Sequence, residues 1–403
     1  MSEGKEIAGR PLLEVGLIIV GRPDEIDRRA IVAARERMRE YLNTVLPEFV
    51  WQIATVSRED VSASIRSEPS ALLQDGSHLR DTEAWDFALM FTSADLISRY
   101  KPFALAVISS ALDLAVISTN RIDPHTFDMA APDGERLGRL TDSLYKLSLH
   151  ALGHLNGLKQ HPDSDNLMCR VSSPAALDAM QTLTQAQLSQ MRENLHKIAD
   201  LRLEERHESS RISRARFYLE SGWLNRHEIL DALSHARPWE FPMHLMRFSA
   251  AALSTMLILL MTAETWHLAV TQSQHRLWLT LGLTLLLTTA FVTHRHRLFV
   301  HRSSHGLSEQ SVITNVSASL IVLSGMATMA GLMLLASFVV SVSLYSPALV
   351  AVWTSGAAPD AGLTQYLLVD LLVTTLGLLI GALGASFEEQ HYFRHVVFVD
   401  EET

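Results

Sequence analysis

The chain has 403 residues, 48% of them hydrophobic and 19% charged, with a formal net charge of -10. That size and apolar content exclude a disordered tail or a small disulfide scaffold, and the acidic balance argues against a general affinity for nucleic-acid phosphates. With Cys169 the only cysteine, neither an intrachain disulfide nor an all-cysteine zinc cluster can form, which points to a reducing compartment.

The first residues, MSEGKEIAGRP, carry charge and no apolar run, so they do not read as a signal peptide. Strand and helix signals then alternate. LLEVGLIIVG (12–21) predicts a strand, 24–45 has helical periodicity with i,i+4 charge pairs, and FVWQIATV (49–56) predicts a second strand. DFALMFTSADL, FALAVISS and LDLAVISTN add three more apolar, β-leaning runs between 86 and 120. A long helical pattern covers 133–156, with Gly157 placed to end it, and 175–207 is again helical in pattern. Residues 216–238 read as an amphipathic connector, where Tyr218, Trp223 and the adjacent Trp239 suit a membrane interface.

Charge then thins out. Up to Arg247 the chain carries 29 Lys and Arg and 35 Asp and Glu; beyond it there are 5 and 9. Four apolar stretches, 245–263, 277–293, 317–340 and 366–386, approach the about 20 residues that a bilayer requires. The third reads as one long tilted helix, since no charged turn interrupts it. Arg295, Arg297 and Arg302 lie between the second and third spans, whereas the loop 346–365 has no Lys or Arg. The positive-inside rule then places the first 240 residues and the segment after Phe387 on the cytoplasmic side. Gly377, Gly381 and Gly384 form a small-residue face suited first to packing within the bundle and second to a dimer interface. Asp370 is an acid inside a span, which invites a functional reading, but the other spans offer it no basic partner. The expected organisation is an α/β soluble domain over 1–172, a helical linker and connector over 173–244, an all-α four-helix transmembrane domain over 245–387, and a short cytoplasmic tail over 388–403.

The stretch that carries chemistry is HALGHLNGLKQHPDSDNLMC, 150–169. His150 and His154 are four apart on a predicted helix, so both imidazoles leave one face about one turn apart and can share a metal. Gly157 allows a sharp turn that brings His161 back towards the same point. Three imidazoles leave one tetrahedral position for water, the arrangement of a catalytic rather than a structural Zn(II) site. Spacing alone is a frequent accident; the glycine and the NLM turn at Met168 give it weight. Asn156, Asp163 and Asp165 are candidate partners for histidine N–H groups, although solvated turn residues look the same in sequence. Asp123 and His125 precede the helix by a loop. A second group, His294, His296, His301 and His305, is interleaved with arginines and reads as an anchor against anionic lipid rather than a second metal site.

These residues resemble the metzincin zinc-protease signature H-E-x-x-H-x-x-G-x-x-H followed by a methionine turn, which Asn166 to Met168 match. DFALMFTSADLI and ALAVISSALDLAVISTNRI resemble the strands that precede the zinc helix in archaemetzincins, including a Ser-x-x-Arg at Ser118 and Arg121. The resemblance covers 13–171 and does not extend to the membrane part. It implies a metzincin-like fold, a hydrophobic base beneath the metal formed by Met168, and a peptide substrate lying along the ALAVIS or LAVIST run by strand addition. Two positions depart from it. Ala151 occupies the place of the glutamate that takes a proton from water and passes it to the leaving amine, and an alanine methyl can do neither. His161 comes four residues after Gly157 instead of three, with Gln160 in the usual slot. The cysteine-rich second zinc site of archaemetzincins cannot be built from Cys169 alone. Two accounts of Ala151 stand open: a pseudo-enzyme, or a variant whose natural glutamate was replaced to inactivate it. Retention of the Leu152-Gly153 pair and of the methionine turn favours the second.

The expectation is therefore a membrane-anchored, zinc-dependent metallopeptidase of a bacterial or archaeal inner membrane, inactive or nearly so with Ala151. His150, His154 and His161 would hold the metal, and peptide or protein substrate, membrane lipid and further copies of the chain would be its partners. The alternatives are a non-catalytic zinc-binding sensor or scaffold, and a channel or transporter gated by the soluble part.

Overall fold

The structure, a computed structural model, describes residues 6–7, 10–59, 65–99, 101–127, 132–171, 173–198, 238–299, 309–354, 362–387 and 390–403, with 226, 229, 230, 233 and 236 as isolated positions. It divides into two compact units, 1–235 with 300–314 and 398–403, and 236–299 with 315–397.

The elements of the first unit are β1 (Glu6–Ile7), β2 (Arg10–Val20), α1 (Glu25–Val45), β3 (Val50–Arg58), β4 (Arg66–Ser67), α2 (Pro69–Glu83), β5 (Phe87–Thr92), β6 (Asp95–Leu96), β7 (Ala106–Ser109), β8 (Leu114–Ser118), α3 (Asp133–Leu155), α4 (Pro174–Ala179), α5 (Gln185–Ile198) and, from far downstream, β9 (Glu401–Glu402). The main sheet runs β3–β2–β5–β8–β7–β9, with β1 also on β2. The pairs among β3, β2, β5 and β8 are parallel; β7 is antiparallel to β8, and β9 is antiparallel to β7.

Helices on both faces explain the unbroken apolar runs. Every residue of β5 and β8 is buried, as expected where a parallel sheet is covered on both sides. Phe87, Leu89 and Phe91 share a core with Ala30, Ile31 and Met38 of α1 and Leu140, Leu144 and Leu147 of α3. Each of these side chains larger than alanine contributes about 1.5–3 kcal/mol by leaving water. Met90 and Leu114 point to the other face, where Gly76 of α2 lies so close that a Cβ there would come within 2.6 Å of Leu114. The N-terminus of α1 is capped by Asp24, whose Oδ1 accepts from Asp27 N–H at 2.7 Å.

Two expectations are corrected here. LAVIST is β8, between β5 and β7, and ALAVIS is β7, between β8 and the two-residue β9 that the chain itself supplies, so neither run is a free edge. Residues 388–403 are not a plain tail: Gln390–Phe398 is helical and Glu401–Glu402 joins the sheet. The pattern 175–207 resolves into α4 and α5; residues 199–207, with Tyr218 and Trp223 of the connector, lie outside the described residues.

The second unit is helical: α6 (Phe241–His244), α7 (Met246–Leu260), α8 (Ala263–Val270), α9 (Gln274–Arg295), α10 (Glu309–Leu344, of which 315–344 belong here), α11 (Pro347–Trp353), α12 (Leu363–Ala385) and α13 (Gln390–Phe398, of which 390–397 belong here). Among the described residues three helices, within α9, α10 and α12, are long and apolar enough to cross a membrane. A fourth span exists if α6 and α7, bent by 80° at their junction, count as one. The third apolar stretch is one helix, as expected. In α12, 61% of the most apolar stretch is buried, against 33% and 28% in the other two, which makes it the centre of the bundle. Its small-residue face receives α7: a Cβ on Gly381 would meet the Phe248 ring at 3.0 Å, and one on Gly384 the Arg247 carbonyl at 2.9 Å. Asp370 is buried and accepts from Ser337 Oγ at 2.8 Å and Ser341 Oγ at 3.0 Å, both on α10.

Candidate metal centre

The buried half of α3 delivers the histidines. His150 is completely buried and His154 nearly so, with ring centroids 4.7 Å apart. The helix stops where Gly157 takes φ +73°, a left-handed conformation open to glycine. Leu158 N–H bonds to Gly153 O at 3.0 Å and Gly157 N–H to His154 O at 2.8 Å, the paired bonds of a Schellman motif. Asn156 adds its side-chain amide to Leu152 O at 2.8 Å, so it caps the helix and does not serve a histidine.

The chain then folds back beneath the helix. His161 N–H bonds to Met168 O at 2.8 Å, and Asn166 Oδ1 accepts from Met168 N–H at 2.8 Å, shaping the turn. Met168 is fully buried against Gly153, between the two histidines in sequence; a Cβ at Gly153 would lie 2.5 Å from Met168 Sδ. The same turn sets the tautomer of His150. Its Nδ1 is 2.7 Å from Leu167 O and can only donate there, which leaves Nε2 with a free lone pair. Burial, with the neighbouring His154, pushes the His150 imidazole down to about 4, so it is neutral at pH 7. Its Nε2 is buried and has no hydrogen-bond partner among the described residues.

A third donor faces them. One ligand atom each from His150, His154 and Glu401 lie within 4.8 Å of one another. Glu401 Oε2 is 3.0 Å from His154 Nε2, but the contact lacks hydrogen-bond geometry. Burial raises the Glu401 carboxyl; the histidines and a hydrogen bond from the Gln160 amide outweigh it and hold the acid down to about 2. A neutral imidazole with an unused lone pair, a second imidazole and a carboxylate form a donor set that fits a divalent metal such as zinc.

Of the predicted site residues, His150 and His154 come together, and Met168 packs against Gly153 between them. Ala151 is completely buried in the core. His161 falls outside the 4.8 Å group: its strand-like bridge to Cys169 turns it aside, and its Nδ1 takes a hydrogen bond from Asp163 N–H at 3.3 Å. Asp123 is committed to Arg136, at 2.6 and 2.9 Å. Arg121 makes a bidentate pair with Asp95 at 2.6 and 3.0 Å, and Ser118 Oγ donates to Ala94 O. In the second histidine group His296 is buried, stacked on Phe393 with Nε2 3.1 Å from Ala385 O, so it does not face lipid. His294 is exposed, and His301 and His305 lie outside the described residues. Sequence reasoning missed Glu401 altogether and, within a turn it did read, the Leu167 carbonyl.

Known structures similar to this chain are described as archaemetzincins, a zinc-dependent peptidase and a metalloproteinase. An archaemetzincin from Methanopyrus kandleri is 20% identical, with a TM-score of 0.35, over 46% of this chain and 96% of that one. A zinc-dependent peptidase from Methanocorpusculum labreanum is 16% identical, with a TM-score of 0.35, over 44% and 99%. Metalloproteinase-II from Bacteroides fragilis is 17% identical, with a TM-score of 0.31, over 47% and 55%. No protein-family model and no curated protein matches the chain.

Proposed function

We propose that the chain is a membrane-anchored zinc metallopeptidase of metzincin type, resembling the archaemetzincins, that takes peptides on the cytoplasmic side. The observation that carries this reading is the buried, partnerless Nε2 of His150, its tautomer fixed by Leu167 O, beside His154 and a carboxylate. His150 and His154 would hold the ion, Met168 would pack beneath it, and His161 stands on the following bend. Bound there, zinc supplies Lewis acidity, polarising a carbonyl and acidifying water.

The protein's own residues do the rest. The Leu167 carbonyl keeps His150 in the ligating tautomer. The N–H and C=O of Ala106 and the C=O of Ile108, on the side of β7 away from β8 and bonded there to Thr403 and Asp400 of the chain itself, are the groups that an extended peptide would have to take over. Ala151 leaves the site without a carboxylate on α3 to move the proton. The chain with Ala151 therefore binds without cleaving, whether as a pseudo-enzyme or as an inactivated variant.

Metal analysis of purified protein tests the centre. One equivalent of zinc is expected, lost in the double variant His150→Ala, His154→Ala; equal zinc in both sinks the assignment. Ala151→Glu tests the chemistry, with chelator-sensitive cleavage of a peptide library expected. A second reading, a zinc-dependent sensor or scaffold, draws on Ala151 being fully buried within the apolar core. Zinc binding without any gain of cleavage in Ala151→Glu supports it.

A further inference from the structure

The edge of β7 and the metal centre are both occupied by the same short piece of this chain. Residues 398–403 belong to the first unit. They run antiparallel along β7, with Ile108 opposite Glu401 and Val107 opposite Glu402. Asp400 N–H donates to Ile108 O at 3.0 Å, Thr403 N–H to Ala106 O at 2.8 Å, and Ala106 N–H to Thr403 O at 3.1 Å. Side chains reinforce the ladder. Glu402 accepts from Ser98 Oγ at 2.5 Å and from Arg99 N–H at 2.8 Å, and an Asp400 carboxylate oxygen accepts from Ser110 N–H. The alternation of a strand then sends Glu401 to the face opposite its neighbours, where its carboxylate meets His154.

Gln160 explains why a carboxylate can serve there. It stands in the slot where the signature places a third histidine, and its amide donates to Glu401 Oε1, leaving Oε2 towards His154. The missing imidazole is thus replaced by an amide that orients a distant carboxylate, and two imidazoles with one glutamate are a known donor set for catalytic zinc.

Resting on the zinc reading above, we propose that Glu401, oriented by Gln160, is the third metal-binding donor of this centre, and that the strand carrying it closes the β7 edge to extended peptides. Metal and strand then stabilise one another. Each favours the state in which the other is bound, by the same factor.

The test uses the full chain in detergent, with zinc affinity from chelator competition and hydrogen exchange of the Ala106 and Ser110 amides. Glu401→Gln, which keeps size and hydrogen-bonding capacity, is expected to weaken zinc by about 100-fold, and Gln160→Ala by about 10-fold, the range for removing a ligand's orienting partner. His161→Ala is expected to change it less than about 3-fold. Removing zinc from the unaltered chain should speed exchange at Ala106 and Ser110, and the double variant Asp400→Ala, Glu402→Ala should speed the same amides and lower zinc affinity as well. Wild-type affinity in Glu401→Gln, or exchange at Ala106 indifferent to zinc, overturns the proposal. If His150→Ala loses zinc while Glu401→Gln keeps it, the Glu401 assignment alone fails; if His150→Ala keeps zinc, the metal centre itself fails.

Discussion

Two glycines on α3 offer a matched test of how the methionine turn is fitted under the histidines. Gly138 is exposed and a Cβ there meets nothing within 4 Å, whereas a Cβ at Gly153 would come within 2.5 Å of Met168 Sδ and 3.3 Å of Leu158 Cδ1. Alanine in a helix interior is favoured over glycine by about 0.5–1 kcal/mol, so Gly138→Ala should stabilise by that amount. Gly153→Ala gains the same helix term but must push aside a fully buried thioether whose backbone is tied to Asn166. Overpacking of this kind costs about 1–3 kcal/mol, leaving a net loss of about 1–2 kcal/mol. Urea-pulse proteolysis of the full chain, followed at α3, separates the two. Shortening the thioether removes the clash, so in a Met168→Ala background Gly153→Ala should become neutral or stabilising. That is a coupling of about 2 kcal/mol between residues in contact. Equal shifts at 138 and 153, or a loss at 153 that survives Met168→Ala, refutes the packing argument.

Further outcomes concern charge, metal and membrane. Burial first, then the charges of Asp24 and Asp123, pushes the Asp27 carboxyl from 3.8 up to about 6. The folded state therefore disfavours its ionised form: the associated stability is fully present below the unfolded value near 4, and is lost as pH rises through about 6. The loss amounts to about 3 kcal/mol. Asp27→Asn should be neutral at pH 4 and stabilising at pH 7.5, and identical denaturation midpoint shifts at the two pH values refute this. Zinc at about 100 times its dissociation constant should add about 2.7 kcal/mol to the first unit, an increment absent from His150→Ala and reversed by chelation. Asp370→Ala removes two serine hydrogen bonds, but Ser341 Oγ also lies 3.1 Å from the Phe338 carbonyl, to which it can turn. Thermal unfolding in detergent should register a cost of about 1 kcal/mol, and a variant that fails to assemble would show Asp370 to be more than a packing clamp.

Much of this arrangement is readable from local pattern, because the forces concerned are local. The continuous apolar runs of β5 and β8 signal strands covered on both faces, the four-residue histidine spacing signals a shared helix face, and Gly157 signals the left-handed stop. The limits are just as specific. The pentapeptide Leu-Ala-Val-Ile-Ser occurs twice, at 105–109 and 114–118; the two copies pair with each other, yet the second pairs onward with the parallel β5 and the first with the antiparallel, two-residue β9. Identical side chains cannot say which copy takes which further neighbour, since that depends on which strands come to lie on either side. Glu401 lies 247 residues beyond His154, past every described helix that is apolar enough to cross a membrane. A two-residue strand has no periodicity to detect, and its register comes from backbone bonds that any sequence can make. Gln160 was the one local hint: a histidine slot filled by an amide leaves a donor unaccounted for, and an amide beside a metal site is suited to steering a carboxylate that arrives from elsewhere.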